Sequence, residues 1–128
     1  MVSKSRASRI AERIQEEISE MLIFDLHDPR VSGAYITDVT VDRELAFADI
    51  YIYSSIGSDS ADTVISGFNH ARGFIRSELA SRIELRTFPR LRFHWDPTPE
   101  RAEHIEKLID SISQTEQDAS GEELAGDA

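Results

Sequence analysis

NHARGFIRSELASRIELRTFPRLR, residues 69–92, holds six arginines (72, 76, 82, 86, 90 and 92) against two acids, Glu78 and Glu84. Upstream and through it, Ala61, Val64, Ile65, Phe68, Ile75, Leu79 and Ile83 keep one helical phase of about 100° per residue. A single helix over that span would run roughly 34 Å at about 1.5 Å per residue, the width of a small domain. It would also put Arg72 in the middle of the apolar stripe, where an unpaired cation is costly. Gly73, a poor residue for a helix interior, stands beside it. The sequence therefore predicts two helices with a kink at Ala71-Arg72-Gly73 that turns Arg72 outward.

Around this basic island the chain is acidic, with a formal net charge of -10 over 128 residues. The charge is unevenly placed. Residues 1–13 hold Lys4, Arg6, Arg9 and Arg13 against Glu12. Residues 14–71 hold eleven acids against Arg30 and Arg43. Two basic islands in an acidic chain form one electropositive face if folding joins them. The length suits one domain with a modest core. There is no cysteine, which excludes disulfides and thiolate chemistry. No apolar run reaches the roughly 18 residues of a membrane span, and MVSKSRASRI lacks the apolar centre of a signal peptide. A cytoplasmic protein is expected.

The first helix is predicted over residues 5–26, with Ala7, Ile10, Ala11, Ile14, Ile18, Met21 and Leu22 on one face. Arg6, Arg9 and Arg13 share a narrow arc beside it. Cations in the first turns oppose the helix dipole, so this arc reads either as a solvated face or as a ligand contact. Asp28-Pro29-Arg30 closes the helix. Strands are predicted over 34–41 and 47–53, joined as an antiparallel hairpin by Asp42-Arg43-Glu44-Leu45. Strict alternation in the first puts Tyr35, Thr37, Val39 and Val41 on one side and Ile36, Asp38 and Thr40 on the other. After the kinked helices, Leu91, Phe93 and Trp95 alternate with Arg92, His94 and Asp96 as a third strand. Thr98-Pro99 opens a last helix to about Ile112, its apolar face Ala102, Ile105, Leu108, Ile109 and Ile112. Residues 113–128 cannot bury a core and are expected to be a disordered acidic tail to a domain of residues 1–112. The order satisfies an α+β fold, a three-stranded sheet with helices packed on one face.

Catalytic patterns are missing. His27, His70, His94 and His104 have no partner at metal-ligand spacing, and there is no nucleophile elbow, Walker lysine motif or dinucleotide loop. No cofactor, metal or catalytic residue is expected. A helix–kink–helix beside a sheet, with arginines at the kink, is similar to the way KH domains present nucleic acid to a helix N-terminus. The G-x-x-G clamp of those domains is replaced here by Ala71-Arg72-Gly73.

With that replacement go RIAERI at 9–14, DPR at 28–30, TDVTV at 37–41, ADIY at 48–51, ARGFIRSEL at 71–79, PRLRF at 89–93 and ER at 100–101. In this order and spacing the chain resembles the ribosome-binding factor A family over roughly residues 5–112. The resemblance implies a type II KH-like domain in which an Ala-x-Gly kink stands for the G-x-x-G loop. It further implies a non-enzymatic factor that binds the immature small ribosomal subunit and its ribosomal RNA. Late maturation, 5′-end processing of that RNA and cold adaptation belong to the same implication, as do assembly GTPases acting on the same particle.

The expected RNA contacts are Arg6, Arg9 and Arg13 as one limb. Arg72 and Arg76 at the kink, with Arg86, Arg90 and Arg92 beyond it, are the other. Arg82 is set apart, because Glu78 is a helical neighbour able to pair with it. Ribosomal proteins are further candidate partners, no membrane is, and the chain is expected to be a monomer. The alternatives are a small enzyme whose site forms only in three dimensions and an acidic protein-protein adaptor without RNA contact.

Overall fold

Ser3 starts the first helix of the computed structural model, its side chain accepting the Arg6 backbone N–H at 3.1 Å. The structure describes residues 1–126, with side chains as far as Thr115. Helix α1 (Lys4–Phe24) buries Ala7, Ile10, Ala11, Ile14, Ile18 and Met21, the spacing that its sequence carries. A short 3-10 turn, Pro29–Val31, follows. Asp28 caps it by accepting the Arg30 N–H at 2.9 Å.

Strands β1 (Ala34–Val41) and β2 (Phe47–Ser54) pair antiparallel, and β3 (Arg90–Trp95) lies parallel to β2. The strand order is β1-β2-β3. Strict alternation fails in β1. The register shifts between Ile36 and Asp38, so Thr37 is an extra residue and both Ile36 and Val39 are buried. The Thr37 hydroxyl, 2.6 Å from Asp96 Oδ2 and 3.2 Å from the Tyr51 carbonyl oxygen, has its own partners at the bulge. The bulge thereby keeps a second apolar side chain on the core side.

Helix α2 (Ala61–His70) and helix α3 (Arg72–Arg82) meet at Ala71, whose backbone sits at φ -86, ψ 0. The core joins Ile14, Ile18 and Met21 of α1 with Val64 and Phe68 of α2 and Ile75 and Leu79 of α3. These pack on Ile36, Val39, Ala48, Ile50, Ile52, Leu91 and Phe93, one face of the sheet. The opposite face shows Arg90 and Arg92, with Phe47, Asp49, Tyr51 and His94 half-buried.

The kink is not made by glycine freedom. Gly73 has an ordinary φ, and a Cβ there would meet nothing within 4 Å. The close approach is at Gly67 instead, where a Cβ would lie 2.8 Å from Val31 Cγ1 and 2.9 Å from Arg30 Cβ. Helix α2 thus rests on the Pro29–Val31 turn through a bare backbone.

Two compact units make up the chain, Met1–Asp96 and the segment from Pro97 onward. The second contains helix α4 (Thr98–Gly126), which passes the expected end at Ile112. Residues 113–126, expected to be disordered, are therefore helical; 127–128 lie outside the described residues. No proline interrupts this stretch, and its glutamates, glutamines and alanines are good helix formers even without a core to bury. The anticipated apolar face is exposed, with Ile105 at 56%, Leu108 at 51%, Ile109 at 56% and Ile112 at 60%. Helical spacing reveals an apolar stripe but not what covers it.

Candidate nucleic-acid interface

Local chemistry brings the two basic islands together. Helix α1 has no acid in its first turn. Asp42 turns the hairpin by accepting the Phe47 N–H at 2.7 Å and the Ala46 N–H at 3.3 Å, which holds its carboxyl below the usual range. Leu45 takes the left-handed conformation in that turn, at φ 56. Arg90 N–H donates to the Ala46 carbonyl at 2.9 Å, and Val2 N–H to the Arg43 carbonyl at 2.8 Å. These bonds place the chain start, the hairpin turn and the approach to β3 at one end of the sheet. Arg6 and Arg86, from the two islands, line one cavity there of about 570 Å³, with Glu44, Leu45, Leu85 and Thr87.

Exposure and pairing then sort the arginines. The side chains of Arg6, Arg9, Arg86 and Arg90 are exposed and make no hydrogen bond or ion pair among the described residues. Arg72 is exposed, donates to Asn69 Oδ1, and lies 5.9 Å from the Phe93 ring centre.

The other expected contacts already have partners. Arg13 pairs with Glu17 at 2.9 Å, and its Nη2 lies 3.4 Å from the Arg82 carbonyl oxygen. Arg76 donates to the Phe88 carbonyl at 2.8 Å and the Pro89 carbonyl at 3.3 Å, pinning the entry to β3. Arg92 forms a two-pronged pair with Asp49, at 2.8 and 2.9 Å, over the Phe47 ring. The Arg92 guanidinium, and after it His94 with Nε2 at 2.7 Å, holds the Asp49 carboxyl below its usual range. Arg82 reaches Glu17 at 3.1 Å, Glu78 at 3.2 Å and Asp25 at 3.5 Å. It is the clasp between α1 and α3. Arg30 holds the Asp28 carboxyl down at about 2.

Two basic residues of this end are not among the expected contacts. Lys4 and Arg43 line a smaller cavity of about 230 Å³ between α1 and β1. Arg43 Nε also donates to the Val2 carbonyl at 3.0 Å. Arg43 sits alone among acids in sequence, and only the hairpin brings it to the chain start.

A cleft with unpaired arginines around it, and no convergent acid–base pair among the described residues, suits an extended polyanion. The profile of ribosome-binding factor A matches residues 6–109. The chain belongs to the ribosome-binding factor A family. A family protein from Alcanivorax borkumensis is 45% identical over 107 residues, covering 83% of this chain and 78% of that one. The crystal structure of the family protein from Thermus thermophilus superposes with a TM-score of 0.62 at 18% identity, covering 70% of this chain and 93% of that one. Coordinates of a Thermus thermophilus ribosome-binding factor A homology model, as fitted into the cryo-EM map of its 30S complex, match with a TM-score of 0.56 at 20% identity. They cover 68% of this chain and 91% of that one. At such identity the two structures establish the α+β fold shared with the family.

Proposed function

We propose that this chain is a non-enzymatic assembly factor that binds the immature small ribosomal subunit through its ribosomal RNA. The observation that carries the reading is the convergence of Arg6 and Arg86, from opposite ends of the first unit's sequence, on one cavity. Neither side chain makes an ion pair among the described residues, so phosphate contact breaks no internal pair. Arg9 and Arg90 extend the surface, Lys4 and Arg43 flank it, and Arg72 serves as a separate contact at the kink. Arg13, Arg76 and Arg92 act as positioning residues through the partners described above. The 30S complex of the Thermus thermophilus family member supports the choice of particle.

Within this reading the factor acts in the cytoplasm as a monomer during late subunit maturation, including 5′-end processing of the RNA and growth in the cold. Ribosomal proteins and assembly GTPases are its neighbours on the particle. The KH-like assignment has a physical counterpart in the break at Ala71, which leaves the start of α3 and the exposed Arg72 open to a strand of RNA. Residues 1–112 carry the binding function, and truncation after Ile112 leaves the melting transition of the first unit unchanged. Sedimentation of the purified protein with free small subunits tests the function directly. Co-migration that is lost as salt rises supports it, and failure to co-migrate at low salt contradicts it.

A further inference from the structure

Arg92 is paired through its charge, yet 50% of its side chain is open to solvent. On the sheet face away from the helices, Arg90, Arg92 and His94 of β3 stand in register with Phe47, Asp49 and Tyr51 of β2. Asp49 holds two flat groups at once. Its carboxylate accepts from the Arg92 guanidinium at 2.8 and 2.9 Å, and its Oδ1 lies 2.7 Å from His94 Nε2. Each of these groups rests on an aromatic ring. The Arg92 guanidinium lies 4.0 Å from the Phe47 ring centre. The His94 ring is stacked on Tyr51, with centres 5.1 Å apart and planes at 27°, and 41% of its side chain is open. The face thus carries two half-open plates side by side, fixed by one carboxylate.

A guanidinium held flat over a ring presents its outer side as a stacking surface, and an imidazole does the same. Nucleobases of single-stranded RNA stack on such surfaces. The plates are two residues apart on a strand, roughly 6.6 Å at about 3.3 Å per residue. Successive nucleotides of a duplex strand rise only about 3.4 Å, so this spacing suits an extended, unstacked strand. The charges agree. Asp49 is answered from two sides, and Arg90, next in the β3 row, is exposed and makes no ion pair among the described residues. Its N–H bonds to Ala46, which lines the cavity of Arg6 and Arg86, so the row continues from the basic end. Asp38 of β1, in register with Tyr51, favours phosphates on the β3 side.

We propose that this open sheet face is a second RNA surface, where two successive bases of a single strand stack on Arg92 and His94 while Arg90 meets its phosphates. The proposal rests on the reading of the chain as an RNA-binding factor. It adds contacts to bases, where the cavity of Arg6 and Arg86 offers contacts to phosphate.

Binding of the full chain to single-stranded oligoadenylate and to an abasic oligomer of equal length separates the two kinds of contact. Both probes carry phosphates and only the first carries bases. The parent should prefer oligoadenylate by roughly fivefold or more for each stacked base. His94→Leu should lose one share of that preference. His94→Phe, which restores a flat ring but not the bond to Asp49, should keep it. Arg92→Lys should lose the other share with its charge retained. Arg6→Ala combined with Arg86→Ala should weaken binding of both probes alike. A parent that binds the two probes equally, or binds neither, overturns the proposal, and so do His94→Leu and Arg92→Lys chains that keep the full preference. A His94→Phe chain as weak as His94→Leu also overturns it, because the bond to Asp49 rather than the flat ring would then matter. Co-sedimentation of the parent with free small subunits is read separately and decides the ribosomal function whichever way the base contacts fall.

Discussion

The seam between α1 and α3 and the open end near Arg6 use the same residue for different work. In the seam, Arg82 faces Glu17, Glu78 and Asp25, and Arg13 faces Glu17. At the open end, Arg6 and Arg86 share a cavity and neither has an ion pair among the described residues. An arginine's role follows from the acids that folding places within reach of it. Paired arginines hold the fold together, and unpaired ones remain available to a ligand. Sequence shows the cation but not its neighbour.

The largest stability effect should come from a packed seam without charge. Gly67→Ala forces a Cβ to within 3 Å of Val31 and Arg30, and should cost about 1–3 kcal/mol in chemical denaturation, as overpacking does. A neutral result would mean that the Pro29–Val31 turn yields easily and is no fixed seat for α2. The next contrast is Arg82→Ala against Arg86→Ala. The first should lower the melting temperature and spare subunit binding; the second should leave melting unchanged and weaken binding. Equal effects on both readouts would erase the distinction between seam and open end.

Acid titration sharpens the same comparison. Asp28, Asp42, Glu17 and Asp49 all ionise more easily than usual in the folded chain. For Asp28 and Asp49 the leading cause is a hydrogen bond from an arginine side chain, Arg30 and Arg92. Arg13 does the same for Glu17, and the Phe47 N–H for Asp42. A carboxyl depressed by folding contributes stability that is complete above its unfolded value of about 4 and is lost as pH falls through the folded one. For Asp28 that window runs from about 4 down to about 2. The melting temperature should fall steeply there and change little between pH 5 and 7 from these groups. In an Arg82→Ala chain the Glu17 share of that slope should shrink. The smallest effect is expected at Gly73→Ala, where space is open and φ ordinary. It should be neutral or stabilising by up to about 1 kcal/mol.

Much of the fold could be read from sequence because burial follows periodicity. The α1 face, the hairpin and the third strand carry their pattern in apolar spacing, and the break at Ala71 shows in the Arg72 and Gly73 that interrupt such a stripe. Three features could not be read that way. The Thr37 bulge changes the face of Val39 without any turn residue to announce it. Gly73 looked like the residue that makes the kink, yet Gly67 makes the close contact, and that depends on a turn far upstream in the chain. The extent of α4 followed helix propensity rather than burial. For the site, the basic islands were visible as composition. Their sorting into clasps, pins and unpaired cations depends on Glu17, Asp49 and the Phe88 and Pro89 carbonyls. Arg43, isolated among acids in the chain, joins the basic end only through the hairpin.

The most direct test of the central claim is the salt dependence of binding to free small subunits for the parent and for a chain carrying Arg6→Ala and Arg86→Ala. If both arginines contact phosphate, the double variant keeps the parent's melting temperature. Its log–log salt slope should become shallower by about 0.7 for each lost contact with single-stranded RNA. A double variant with the parent's affinity and slope would contradict the claim that this end of the molecule holds RNA.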